Sequence, residues 1–167
     1  MNWEDKVEDL QRWKEGKTGL PLIDALMREM NESGFMPNRG RMVAASYLTH
    51  DLRIDWREGA AHFEEKLIDH DVTSNYGGWN WSAGIGSGRP LIFNALKQSK
   101  DHDKKGDYIR TWVKELSHLP TEYIHDPWNM AEALQKASKV IIGKDYPSPI
   151  NCLKYTDPDA AKKLKRS

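Results

Sequence analysis

The sequence is poor in cysteine: Cys152 is the one thiol among 167 residues. That excludes an intrachain disulfide and a cysteine-built zinc centre. Net charge is missing too, because 25 basic residues balance 25 acidic ones. No global field draws the chain to nucleic acid or membrane, so either partner must be met by a local patch. No apolar run reaches the roughly 20 residues of a membrane span, and MNWEDKVEDL is too acidic and polar for a secretory leader. A soluble intracellular protein is the expectation. No stretch alternates apolar and polar residues long enough to make a strand. HExxH, a Walker-type glycine loop, a nucleophile elbow and GxGxxG after a strand are also absent. The six histidines are dispersed, so no metal site is expected.

Tryptophan is abundant, with seven: Trp3, Trp13, Trp56, Trp79, Trp81, Trp112 and Trp128. Core packing is the usual role of such rings. Stacking on bases and relaying electrons are the alternatives. Helical patterns fill the rest. Val7, Leu10 and Trp13 mark an exposed amphipathic helix within 3–15. A helix opens near Thr18 or Gly19 with Pro21 in its first turn, and Ser33-Gly34 closes it. A third runs from Asn38 toward Leu52, and a fourth from about Glu58 to Ile68. Short helices are expected over 92–99 and 107–116, and a longer one over 127–139. The prolines of YPSPI hold 146–150 extended. Residues 1–150 read as one all-α domain, and 151–167 as a polar tail.

The stretch DHDVTSNYGGWNW (Asp69 to Trp81) stands apart from these patterns, and five glycines lie between 77 and 88. It reads as a long Gly-rich loop, or as a short irregular helix flanked by loop. Asp69 and Asp71 fit either a capping pair or acceptors for a ligand edge or a nearby arginine. Arg39 and Arg41 are candidate partners, since a buried Asp–Arg pair tends to mark a site. Asn75 can both donate and accept, so its amide suits a ligand whose protonation changes. Gly77 and Gly78 would let backbone approach a flat ligand. On a helix from Asn38, residues 38, 41 and 42 share a face and Arg39 points away. One face could meet a cofactor and the other a phosphate.

Three stretches taken together are more specific: TGLPLIDALMREM (18–30), NRGRMVAASYLTHDLRIDWR (38–57) and LIDHDVTSNYGGWNW (67–81). In this order and spacing they resemble the FAD-binding helical domain of the DNA photolyase and cryptochrome family. Phe93-Asn94, Lys97-Gln98, GDYIRTWVKEL (106–116) and IHDPW (124–128) continue the resemblance, which spans roughly residues 3 to 150. It implies FAD as cofactor, with Asn38, Arg41, Asp69, His70, Asp71 and Asn75 around it. Arg41 would pair with Asp69, and Asn75 would sit opposite flavin N5. Trp79, Trp56 and Trp3 match the family's electron-transfer chain, ordered from flavin to surface. Asn38, Arg39, Met42, Trp81 and Gln98 map to positions that meet DNA containing a flipped-out pyrimidine dimer. An aromatic wall such as Trp81 suits extruded bases.

NRGR and LIDHDVTSNYG look like the DASH-type cryptochromes, whereas Met42 and Trp81 look like photolyases that repair cyclobutane dimers in duplex DNA. Tyr47 and His50 stand where the family commonly has Phe and Lys, which weakens a phosphate contact at 50. Chains of the family are commonly far longer. An α/β antenna-binding domain and the first half of the helical domain, with the Thr/Ser-rich segment that grips the FAD diphosphate, have no counterpart here. The resemblance therefore implies one wall of a FAD and DNA site. A second polypeptide would complete it, or the chain is a fragment or divergent short form. Dimer repair, blue-light reception without repair, and flavin-free binding of DNA or a protein are the three functions carried forward.

Overall fold

A computed structural model describes residues 3–85 and 92–150. Those residues form helices and connecting turns, and the β pairing among them is a single isolated bridge, Ile142 to Tyr146. The helices are α1 (Val7–Lys14), α2 (Pro21–Ser33), α3 (Asn38–Ser46), α4 (Trp56–Lys66), α5 (Val72–Ser82), α6 (Ala95–His102), α7 (Asp107–Trp112) and α8 (Glu132–Ala137). The all-α expectation holds. The tail expected over 151–167 lies outside the described residues, as do residues 86–91 at the end of the Gly-rich stretch.

Local chemistry sets most boundaries. Extended Leu20 leads into Pro21, whose fixed φ and missing N–H suit a first helical position. At the other end Gly34 takes φ 72° and donates its N–H to Met30, a left-handed stop that a side chain would resist. Asp55, Asp71 and Asn94 cap α4, α5 and α6, each accepting from a backbone N–H of the first turn (Arg57, Ser74 and Lys97).

Several expectations change, and the helix expected over 107–116 stops at Trp112, before a separate 3₁₀ turn, Lys114–Leu116. Of the alternatives for 69–89, helix prevails over the eleven residues Val72–Ser82. The helix expected over 127–139 is split into a 3₁₀ turn, Pro127–Asn129, and the short α8. Met130 separates them at ψ 133° because its side chain is buried in the core there. The third helix does run on past Ser46, but as a π-helical turn, Tyr47–Asp51. Such turns are uncommon and often stand beside functional sites.

Packing forms two clusters. The larger joins α1 to α5 around Trp13, Ile23, Met27, Met30, Leu48 and Phe63. The smaller gathers Ile109, Val113, Leu116, Ile124 and Tyr146 against Ala25 of α2. Helix α2 thus serves both. The close α4–α5 approach depends on Gly59, because a Cβ there would stand 2.2 Å from Trp79 Cη2. Helices α3, α4 and α5 meet at their solvent side in a cleft.

Candidate functional site

The cleft is a cavity of about 230 Å³. Asn38, Arg41, Met42 and Ala45 line it from α3, and Phe63 and Leu67 from the end of α4. Asp69, His70, Asp71, Ser74, Asn75, Gly78, Trp79, Trp81 and Ser82 complete it from α5 and the turn before it. All six expected cofactor residues are therefore on one cavity, together with Met42 and Trp81. Arg39 is not: it faces a second, mostly apolar cavity of about 260 Å³ on the other side of α3, where Gln98 also lies. Its Nη1 donates to Gln98 Oε1 at 3.4 Å. The two-faced reading of α3 is what the helix shows.

Arg41 is held at two points. Its Nε donates to the Met36 carbonyl at 2.9 Å, and its Nη2 reaches both Asp69 oxygens at 2.9 and 2.7 Å. The Asp69 side chain is half exposed, so the ion pair adds only about 0–1 kcal/mol of stability. Its consequence is positional: a carboxylate and a guanidinium fixed at the rim. Asp71 accepts from Ser74 N at 2.7 Å, and that N–H holds its carboxyl below the usual range. The capping and ligand-facing readings of Asp71 thus coincide in one residue. The amide nitrogen of Asn75 donates to the Ala60 carbonyl at 2.9 Å, which fixes the amide and leaves its oxygen to meet a ligand.

His70 is the cavity's unsatisfied group. Both ring nitrogens are buried without a hydrogen-bond partner, although Glu64 Oε1 lies 3.9 Å from Nε2. A buried polar atom left unpaired is costly, so a ligand that pairs it is favoured. Gly78 borders the cavity, and a Cβ at Gly77 or Gly78 would meet open space. A flat ligand could lie against α5 there.

The three expected relay tryptophans differ in depth. Trp79 is buried, packed edge-on against Phe63 (centroids 5.0 Å) and Trp13 (6.0 Å). Trp56 and Trp3 are half-buried and line neither cavity. Trp56 meets Tyr76 edge-on at 6.1 Å. Sequence reasoning missed Ser74, Phe63, Leu67, Ser82 and Tyr76. Positions 71, 74, 75, 78 and 82 share one face of a helix, so Ser74 and Ser82 became visible only once α5 was a helix. Among the described residues no cluster of His, Cys, Asp or Glu could hold a metal ion. No described helix is long and apolar enough to cross a membrane.

Comparison with known proteins shows the family of the chain. A profile of the FAD binding domain of DNA photolyase matches residues 1–166. The chain is 49% identical over 153 residues to a deoxyribodipyrimidine photo-lyase of Alkalihalophilus pseudofirmus, covering 90% of this chain and 32% of that one. It is 46% identical over 150 residues to a cryptochrome DASH of Gloeobacter violaceus, covering 89% and 30%. A Synechocystis cryptochrome structure superposes with TM-score 0.88 at 42% identity, over 99% of this chain and 34% of that one. A class III photolyase from Agrobacterium tumefaciens gives 0.86 at 38%, over 99% and 36%. The chain thus spans about a third of the length of the relatives it matches. It belongs to the FAD-binding domain family of DNA photolyases and cryptochromes, and its cofactor is FAD.

Proposed function

We propose that the chain supplies one wall of the FAD and DNA site of a photolyase, which uses light to repair cyclobutane pyrimidine dimers. The observation that carries this reading is the convergence of Asn38, Arg41, Asp69, Asp71, Asn75 and the unpaired His70 on one cavity rimmed by Met42 and Trp81. Bound and reduced, FAD supplies the excited electron that splits the dimer. Arg41 and Asp69 would hold the ring edge, Asp71 would lie on the ribose side, and Asn75 would offer its amide to the flavin. Trp81 is 47% exposed at the rim, as a ring that stacks on an extruded base must be. Arg39 and Gln98, on the far side of α3, meet the DNA backbone.

The rest of the site would come from a further segment of a longer chain or from a second polypeptide. A 230 Å³ cavity holds only part of a dinucleotide, and apolar Ile68 and Val72 stand 81% and 60% exposed beside it. A blue-light receptor without repair is the second reading, favoured by the closeness to cryptochrome DASH sequences.

The test is an absorption spectrum of the purified chain with and without added FAD, before and after blue light under reductant. A flavin band that bleaches in light supports the reading, and loss of dimers from an irradiated oligonucleotide in light but not in darkness completes it. Bleaching without dimer loss favours the receptor. A protein that takes up no FAD sinks both for the chain alone and leaves a flavin-free binding role.

A further inference from the structure

We propose that Tyr76 is a redox branch of the tryptophan chain: it reduces oxidised Trp56 and passes its phenolic proton to Glu64. This rests on the electron-transfer reading above and adds a residue that reading does not use. Two contacts carry it. The rings of Tyr76 and Trp56 meet edge-on, with centroids 6.1 Å apart and planes at 81°. The Tyr76 hydroxyl donates to Glu64 Oε2 at 3.0 Å, within the range for direct proton transfer. The geometry follows from the α4–α5 packing. Trp56 opens α4, Glu64 lies two turns further along it, and Tyr76 reaches both from α5, three residues before Trp79.

The step balances. Trp56 becomes a radical cation when it gives an electron to Trp79, which light-excited oxidised flavin has itself oxidised. One electron then moves from the Tyr76 ring to Trp56 and restores the neutral indole. A phenol that loses an electron becomes strongly acidic, so its proton leaves along the existing hydrogen bond to the Glu64 carboxylate. The products are a neutral indole, a neutral tyrosyl radical and a neutral carboxylic acid. Return of the electron then requires return of the proton, which slows recombination. At rest the hydroxyl is protonated, and the hydrogen bond to the Glu64 carboxylate weakens its acidity further. The branch is therefore silent until Trp56 is oxidised.

The alternative is that Tyr76 merely covers Trp56, and two experiments on the full chain separate these. In the first, without flavin, a ruthenium polypyridyl sensitiser and a cobalt(III) quencher oxidise the protein. Electron paramagnetic resonance then distinguishes tyrosyl from tryptophanyl radicals. Tyr76→Phe keeps the ring contact but has no proton to release. The expected result is a tyrosyl signal that falls at least tenfold in Tyr76→Phe, with the tryptophanyl signal rising, and several-fold in Glu64→Gln. In the second, FAD-loaded protein is illuminated and the same signals are followed. A tyrosyl yield unchanged by Tyr76→Phe, or only tryptophanyl radical in the parent chain, overturns the proposal. If the chain takes up no flavin but the first experiment shows a Tyr76 radical that is lost in Trp56→Phe, the branch stands and the flavin reading falls; a Tyr76 radical unchanged in Trp56→Phe is direct oxidation from solution and overturns the branch. If flavin is photoreduced with no tyrosyl radical, the branch falls and the flavin reading stands.

Discussion

Depth gives the tryptophans different chemistry. Trp79 is 3% exposed and ringed by Phe63 and Trp13, so a charge placed on it is poorly solvated. Trp56 and Trp3 are half-buried, and a positive charge that reaches them is stabilised by water. An outward gradient of this kind favours charge separation over recombination. Replacement of Trp56 by Phe should keep the packing against Tyr76, because both rings are aromatic and the site is only half-buried. Photoreduction should then fall by at least tenfold, while FAD taken up in darkness stays the same. Equal bleaching rates for Trp56→Phe and the parent chain would remove Trp56 from the route.

At the scale of elements, the α4–α5 pair decides where Trp79 sits. Ala at Gly59 would gain roughly 1 kcal/mol of helix propensity. Its Cβ would also lie 2.2 and 2.6 Å from two atoms of the Trp79 ring and 2.7 Å from Leu48 Cδ2. A rigid ring already packed on two sides cannot swing away, so overpacking of about 1–3 kcal/mol prevails. Gly59→Ala should therefore lower the melting temperature and disturb the near-ultraviolet circular dichroism of the indoles. Gly40→Ala should be milder, because the atom at 2.3 Å there is the tip of the flexible Leu26 side chain. Equal effects from the two substitutions would count against the packing argument. The same elements show what could be read from the chain. Helix α2 was legible because proline and glycine punctuate it, and the α3 face was legible because its spacing is regular. Helix α5 was only half legible: two adjacent glycines and the lack of an apolar stripe at helical spacing hide it, and its structure comes from the Asp71 cap and from packing on α4. The split at Met130 had no local signal, since tertiary burial creates it. The cavity residues named through family motifs came together, whereas those that need the α5 register, such as Ser74, did not emerge.

For the molecule as a whole, two buried titratable groups tie distant segments and respond to pH in opposite directions. Asp24 of α2 is fully buried, and its carboxylate accepts from Thr18 N (2.7 Å), Thr18 Oγ1 (2.6 Å), Gly19 N (3.0 Å) and the Tyr146 hydroxyl. It thereby fastens the turn before α2 to the second cluster. Asp24→Asn puts an amide donor against groups that themselves donate. The expected loss in chemical denaturation is about 1–3 kcal/mol, and a loss near zero would mean that the neighbours re-pair freely. Burial raises the carboxyl pKa of Asp24 despite those donors. Its contribution is therefore present at low pH and is lost as pH rises through the folded value. His62, packed edge-on against Trp13, goes the other way: burial first, then the Lys14 charge, lowers its pKa from 6.5 to about 4. Between these values the unfolded chain binds a proton that the folded chain refuses. The contribution of His62 is thus complete above about pH 6.5 and is lost as pH falls toward 4, by at most about 3 kcal/mol. In the parent chain the two slopes have opposite signs, so its own pH profile isolates neither group. The difference between the parent chain and His62→Gln isolates the histidine, because Asp24 is common to both and cancels. That difference should shrink by 1–3 kcal/mol as pH falls from 7 to 4, measured by urea unfolding at fixed ionic strength. A constant difference across the range would mean that the His62 ring reaches water, and that it is not a sealed part of the core.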